Sequence, residues 1–359
     1  MLPYPPGKPI EEVKREFGLE EVIKLASNEN PLGPSPKALR AMAAVAGEMQ
    51  LYPDGAGYYL KAALADMIGI TPEEIMLGNG SDEITVFLAQ CYLNRKAGVI
   101  TSDYSFVRYR NAAELMNAPL TLVPMKNFRH DLKAMLAAVT PTTRMVLLDL
   151  PGNPTGTIVT LAELKRFLKA LPEHVIPVLD QAYYEYAIVD EDFPDGFDLR
   201  TLHPNLVVTR TFSKAYGLAG LRVGYAVAPA WLVHDVERVR PPFNTSRMAQ
   251  AAALAALDDH QHLRRSVISN LKGLAQLNAG LGKLGLKPVP SHANFVLVDL
   301  APRAAGRSGG QIFNELLKLG VVVRPMGGYG LSSFIRISVG TAAENRKCLA
   351  ALRQVLASA

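Results

Sequence analysis

Short apolar runs and amphipathic stretches alternate along the first two thirds of the chain. IMLG (75–78), AGVIT (97–101), PLTLVP (119–124), MVLLDL (145–150), VIPVLD (175–180), NLVVTRT (205–211) and RVGYAVA (222–228) have strand length, and most are bounded by turn residues. Between them lie helical patterns, one from Ser81, one from about Ser105 and one over DLKAMLAAV. Apolar strands separated by helices predict an α/β fold, a mostly parallel sheet covered on both faces by helices. Upstream, SPKALRAMAAVAGE (35–48) predicts a helix, and residues 1–34, rich in Pro, Asn and Gly, read as an extended arm.

After about residue 243 the pattern changes. Two helices are expected over 245–285, the second long, then a strand (NFVLVDL), a helix (GQIFNELLKLG), strands at VVVRP and FIRISVG, and a helix to Ala359. This order predicts a second, smaller α+β domain. The division expected is an arm and helix (1–48) joining the small domain, a large domain (49–265) and a small C-terminal domain (266–359).

Composition narrows the function. The 359 residues are 49% hydrophobic and 20% charged, which places the chain among packed globular proteins rather than disordered ones. The net charge is +5 and no run of five basic residues occurs, so no nucleic-acid partner is expected; arginines grouped around an anionic substrate are a better use of the excess. Cys91 and Cys348 form no metal or disulfide spacing and read as small apolar residues in a reducing, cytoplasmic setting. The first residues carry prolines and charges where a signal peptide has an apolar core, and no run of about 18 apolar residues is present to span a membrane. The seven histidines show no metal-ligand spacing, so no metal is expected.

The candidate chemistry collects at the ends of the apolar runs, where open α/β sheets bind ligands. In TFSKAYGLAGLRVGY (211–225), Lys214 follows a buried strand and Arg222 comes eight positions later. Desolvation at a strand end favours the neutral amine, a nucleophile suited to a carbonyl. GNGSDE (78–83) opens a helix; it either presents free N–H groups to a phosphate or is a plain turn capped by Ser81 or Asp82. PGNPTGT (151–157) is a constrained loop with Asn153 at its centre. Asp180 closes VIPVLD and needs a cationic partner, a structural ion pair or a helix to cap; Tyr183 lies three residues on. Thr211, Ser213 and Arg222 supply phosphate donors around the lysine. One molecule would use all of these groups at once, an aldehyde-bearing, phosphorylated heteroaromatic cofactor: pyridoxal phosphate.

The motif order GNGSDE, PGNPTG, D-x-x-Y, then SK with Arg eight residues on, resembles the fold-type-I pyridoxal-phosphate aminotransferases. PYPPGKPIEEVKREFG (3–18), KLASNENPLGPSP (24–36), LYPDG (51–55), SHANFVLV (291–298) and VVVRPMGGYGLSSFIRISVGT (321–341) are similar to the histidinol-phosphate aminotransferase family in particular, so the likeness runs through essentially the whole chain. It implies Lys214 as the Schiff-base lysine and proton shuttle, Asp180 on the pyridine nitrogen, and Asn153 and Tyr183 on the ring hydroxyl. It implies Tyr104 stacked on the ring face, with Phe106 as the competing choice because Ser102-Asp103 departs from the usual proline-bearing turn. Ser81 and Asp82, through backbone N–H groups, join Thr211, Ser213 and Arg222 on the phosphate. Tyr52 reaches the phosphate of a neighbouring subunit, which implies a homodimer. Arg336 binds substrate carboxylate or phosphate, with Arg324, Asn30 and Tyr4 completing the anion pocket. Gln181 stands where the family often has an acidic residue. The implied reaction exchanges an amino group between L-histidinol phosphate and 2-oxoglutarate. Its rivals are transamination of phenylalanine or tyrosine and decarboxylation of threonine phosphate.

Overall fold

The computed structural model describes residues 7–357. Its strands are β1 (Ile23–Lys24), β2 (Ile75–Gly78), β3 (Gly98–Ser102), β4 (Leu120–Val123), β5 (Thr143–Asp149), β6 (Ile176–Asp180), β7 (Val207–Thr211), β8 (Gly224–Val227), β9 (Phe295–Asp299), β10 (Val321–Val322), β11 (Arg324–Pro325) and β12 (Phe334–Ser338). All seven apolar runs of the first two thirds enter one seven-stranded sheet of order β2-β8-β7-β6-β5-β3-β4. Only β8 runs against its neighbours. The strand order reverses between β3 and β5, the kind of switch point at which such sheets open a crevice.

Both faces of this sheet are buried, and the period-two alternation of side chains divides them. On β5, Val146 and Leu148 join one core while Met145 and Leu147 join the other. Because β5 and β6 are parallel and in register, Asp149 and Asp180 end side by side. The sheet thus delivers two acidic strand ends to one edge.

A second core forms around the antiparallel sheet β11-β12-β9 and the helix Gly309–Lys318. The arm joins it: β1 pairs in parallel with β10, and Leu25 is buried in this core. The following helix, Pro36–Val45, is capped by the Ser35 hydroxyl and packs on the helix Arg247–Leu257, with Ala38 in the first core. The described part of the arm, residues 7–48, therefore serves both bodies. In the long helix His260–Lys283, Leu263 packs on the first core and Leu274, Leu277 and Leu281 belong to the second, so a division at residue 265 falls inside one helix.

The arm is not extended throughout, as its composition suggested. Ile10–Phe17 is a helix between Pro9 and a left-handed Gly18. Ile10, Val13 and Phe17 fall on one stripe, Glu11 and Glu12 lie in the first turn and Lys14 and Arg15 in the last, which suits the helix dipole. Val13 seals against Ala26, Leu317 and Val322. The many prolines and glycines flank this pattern rather than interrupt it.

Candidate active site

At the carboxyl ends of β5, β6 and β7 a chamber of about 190 Å³ is lined by residues of both bodies and of the arm. It shares Phe106, Asn153, Arg324 and Arg336 with a wider outer recess of about 780 Å³. A narrow inner room with a broad antechamber suits a small held group and a larger exchanging one.

Lys214 stands in the inner chamber on the turn after β7. Its Nζ lies 5.6 Å from the centre of the Tyr183 ring and donates to the Ser27 carbonyl at 3.4 Å. Burial pulls its pKa down to about 8, Arg336 and Arg222 push the same way, and Glu29 and Asp180 oppose. A usable fraction of neutral amine is therefore present near neutral pH.

Asp180 forms the floor. Its Oδ1 accepts from Thr209 Oγ1 at 3.0 Å and from the Ala182 N–H at 3.2 Å, and its Oδ2 accepts from the Tyr109 hydroxyl at 3.0 Å. Burial raises its pKa to about 6 and the neighbouring Asp149 adds to the rise, while these three hydrogen bonds hold it back. Tyr183, pushed up chiefly by its own burial, receives Asn28 Nδ2 at 2.8 Å and Asn153 Nδ2 at 3.2 Å on its hydroxyl.

Opposite lies a cradle of helix-start N–H groups, two hydroxyls and a guanidinium, suited to an anion. The helix Ser81–Tyr92 is capped by Gly80, which brings no side chain to consume the first N–H groups. Asp82 spends its carboxylate on Arg108 Nε at 2.9 Å. A Cβ on Gly224 would stand 2.5 Å from the Ser81 nitrogen, so β8 can approach the helix start only as glycine. Thr211 and Ser213 exchange a hydroxyl bond of 3.1 Å, and Arg222 Nη1 reaches Ser213 Oγ at 3.4 Å. Arg222 itself adopts a left-handed φ of 54°, which turns its guanidinium back over Gly80.

Arg336 and Arg324 meet at the chamber's outer side, as direct cross-strand partners on β12 and β11. Arg336 Nη1 donates to Asn153 Oδ1 at 2.5 Å and Nη2 to the Ala26 carbonyl at 2.8 Å. The strand, the PGNPTG loop and the arm thereby meet on one guanidinium.

Lys214, Asp180, Tyr183, Asn153, Ser81, Asp82, Thr211, Ser213, Arg222, Arg336 and Arg324 all line this one chamber. Two expectations fall elsewhere, and Tyr52 was expected to act on a neighbouring copy. Tyr104 packs outside it, 6.0 Å from the Phe128 ring, whereas Phe106, the competing choice, lines it. Asn30 is consumed as a brace, its Nδ2 donating to the Ala215 carbonyl and to Ser266 Oγ at 2.8 Å each; Asn28, two residues earlier with a left-handed φ of 54°, faces the chamber instead. Tyr52 is 77% exposed and stacked on Phe243, away from this chain's own chamber. Tyr4 lies outside the described residues. Gln181 fills its place structurally, donating to the Pro194 carbonyl at 2.6 Å and accepting from Arg210 at 3.2 Å. Sequence reading also missed Tyr109, a helix residue whose reach to Asp180 no local pattern announces.

Known proteins match this chain over nearly its whole length. The family model for aminotransferase class I and II covers residues 20–352. The histidinol-phosphate aminotransferase 1 of Nitrosococcus oceani is 49% identical over 356 residues, 99% of this chain and 95% of that protein. That of Moorella thermoacetica is 48% identical over 99% of this chain and 91% of its own. A crystal structure of the Sinorhizobium meliloti histidinol-phosphate aminotransferase in complex with pyridoxal-5'-phosphate superposes with a TM-score of 0.90 at 32% identity, covering 99% of this chain and 96% of that one. With a lysine, an aspartate and an anion cradle gathered at the strand ends of the same fold, this chain belongs to the class I and II aminotransferases and, among them, to the histidinol-phosphate aminotransferases.

Proposed function

We propose that this protein transfers the amino group of L-histidinol phosphate to 2-oxoglutarate, giving imidazole-acetol phosphate and L-glutamate, with pyridoxal phosphate as cofactor. The observation that carries the reading is a half-buried lysine, its pKa lowered to about 8 by desolvation, in one chamber with Asp180, the Arg222 cradle and Arg336.

The residues fit the cofactor. A buried carboxylate with a raised proton affinity suits a ring N–H⁺, and two glycines leave the close approach that a phosphate between helix start and Arg222 requires. When bound, pyridoxal phosphate supplies an aldehyde for a primary amine and a ring that takes up electrons as the substrate α-proton leaves. Lys214 Nζ provides the amine and then carries the proton on and off the substrate α-carbon. Asp180 holds a proton at the ring nitrogen. Tyr183 and Asn153 hold the ring hydroxyl, and Phe106 covers one face. The N–H groups of Ser81 and Asp82, with Thr211, Ser213 and Arg222, hold the phosphate. Arg336 takes the substrate anion with Arg324 beside it, its planar fork serving a carboxylate or a phosphate equally.

Tyr52 acts across a homodimer in this reading. Its exposed ring lies in a surface region that includes Leu51, Tyr58, Tyr59 and Phe243, each more than 40% exposed, an apolar patch suited to a second copy of the chain.

The test is a single-turnover mixing experiment on the cofactor-loaded protein, followed through the cofactor's visible absorbance. Histidinol phosphate should convert it at least about tenfold faster than phenylalanine, a gap of about 1.4 kcal/mol in barrier. Comparable rates would move the protein to the aromatic aminotransferases, and release of CO2 from threonine phosphate to the decarboxylases.

A further inference from the structure

One buried group next to Asp180 has no part in the mechanism above. Asp149 ends β5 in register with Asp180 on β6, and it lines the same chamber. Its Oδ2 accepts two backbone N–H groups, that of Asn153 at 2.6 Å and that of Phe106 at 3.1 Å. These residues come from the loops after β5 and β3, on either side of the crevice where the strand order reverses. One oxygen thus ties together the residue at the ring's edge and the residue on its face.

The residue is itself held from behind, through its backbone. His130 Nε2 lies 3.1 Å from the Asp149 carbonyl oxygen and 3.2 Å from Oδ1; the well-formed hydrogen bond goes to the carbonyl and the carboxylate contact is electrostatic. Both neighbours of Nε2 are acceptors, so that nitrogen carries a proton. Nδ1 meets Ser102 Oγ at 2.7 Å, and Ser102 is the last residue of β3. Ser102, His130 and Asp149 are all buried. This Ser–His–Asp chain spans β3 and β5 and ends on the two ring contacts. It has no nucleophilic role, because the serine lies at the far, closed end.

We propose that Asp149 is a positioning residue for transamination: its Oδ2, on a residue whose backbone is held by the His130–Ser102 pair, sets the places of Phe106 and Asn153 relative to the cofactor ring. The proposal rests on the reading of the chamber as a pyridoxal-phosphate site. A staple that merely closed two loops would affect folding. A positioning residue affects ring orientation and the chemical step, since errors of about 1 Å at a reacting centre cost on the order of a hundredfold.

Asp149→Asn keeps an acceptor oxygen for the two N–H groups; Asp149→Ala removes it. Each variant is loaded with pyridoxal phosphate. The cofactor dissociation constant, the visible circular dichroism of the bound ring, kcat and KM are measured beside the melting temperature of the apoenzyme. The alanine variant should hold cofactor at least about tenfold more weakly, as expected for the loss of two charge-assisted hydrogen bonds. It should also change the ring's circular dichroism and lose more in kcat than it gains in KM. The asparagine variant should recover most of each signal. His130→Ala should give the alanine pattern in weaker form. Unchanged circular dichroism and cofactor affinity in Asp149→Ala would overturn the proposal, as would an asparagine variant as impaired as the alanine one. Should Asp149→Ala not fold, Asp149→Ser, whose oxygen is too short to bridge both amides, takes its place with the same expectations. If the unaltered protein takes up no pyridoxal phosphate, it is the cofactor reading that fails; if it does and the variants are normal, only the role of Asp149 fails.

Discussion

The two ends of the chamber are built differently. The end proposed for the phosphate is made of one helix start, the Thr211–Ser213 turn, Arg222 and two glycines, all within the seven-stranded body. The end proposed for the substrate joins Arg336 and Arg324 of the small sheet, Asn153 of the large one, and Ala26 and Asn28 of the arm. Donors set on one rigid body have one geometry, whereas side chains drawn from three segments depend on how those segments meet. The first end can hold a constant cofactor, and the second can be tuned to a substrate by changes far from the chemistry.

Between the two ends lies the chemistry, and the largest effects are expected there. Lys214→Ala should lower transamination by about a thousandfold or more, within the range for a general acid–base, and abolish the visible absorbance of the lysine-bound cofactor. Retained turnover would remove Lys214 from its role. Asp180→Asn should lower kcat by roughly a hundredfold or more with cofactor still bound, measured by steady-state kinetics and cofactor titration. An unchanged kcat would mean the ring nitrogen needs no carboxylate.

The contrast itself is tested by one change at each end. Arg336→Gln should weaken histidinol phosphate and glutamate together by roughly 10- to 150-fold, the range for hydrogen bonds to charged groups, and lower cofactor affinity less than that, through its bond to Asn153 alone. An effect on one substrate alone would mean that the two anions use different sites. At the other end, Gly80→Ala would place a Cβ 2.6 Å from Arg222 Nη2 at a φ of 83°. Cofactor affinity should fall by about tenfold, from backbone strain of about 1 kcal/mol or more and a displaced guanidinium, while substrate KM changes little. A shift in substrate KM instead would show that the ends are coupled.

A pH effect completes the series. With its pKa lowered to about 8, Lys214 is mostly protonated below that pH and mostly neutral above it. Capture of pyridoxal phosphate by the apoenzyme, followed by absorbance at fixed cofactor concentration, should rise with pH and level off above about 8. A rise continuing unabated toward the ordinary lysine value would contradict the burial argument.

The same contrast explains what could be read from the residues alone. The seven strands and the motifs GNGSDE, PGNPTGT, D-x-x-Y and SK with its arginine were legible because each is local, an apolar run followed by the turn that ends it. The choices of Tyr104 over Phe106 and of Asn30 over Asn28 named a segment that reaches the chamber but a member that does not line it. Which of two residues two positions apart faces inward depends on backbone turns that other segments pin, as Asp149 pins the Phe106 amide and as Asn30 spends its amide on Ser266. His130 read as an ordinary histidine because its partners lie 28 residues before it and 19 after it. The helix in the arm was hidden by its prolines, although its apolar spacing was present.

The long helix His260–Lys283 carries a mechanical consequence. Its 24 residues span about 36 Å. Near its start, Ser266 is joined through Asn30 to the carbonyl of Ala215, the residue after Lys214, so this part travels with the lysine. Its later turns are embedded in the core that carries Arg336. The helix is therefore a lever clamped at the lysine and loaded at the arginine. A tilt of only five degrees along its length would carry the loaded end through about 3 Å, comparable to the reach of one hydrogen bond.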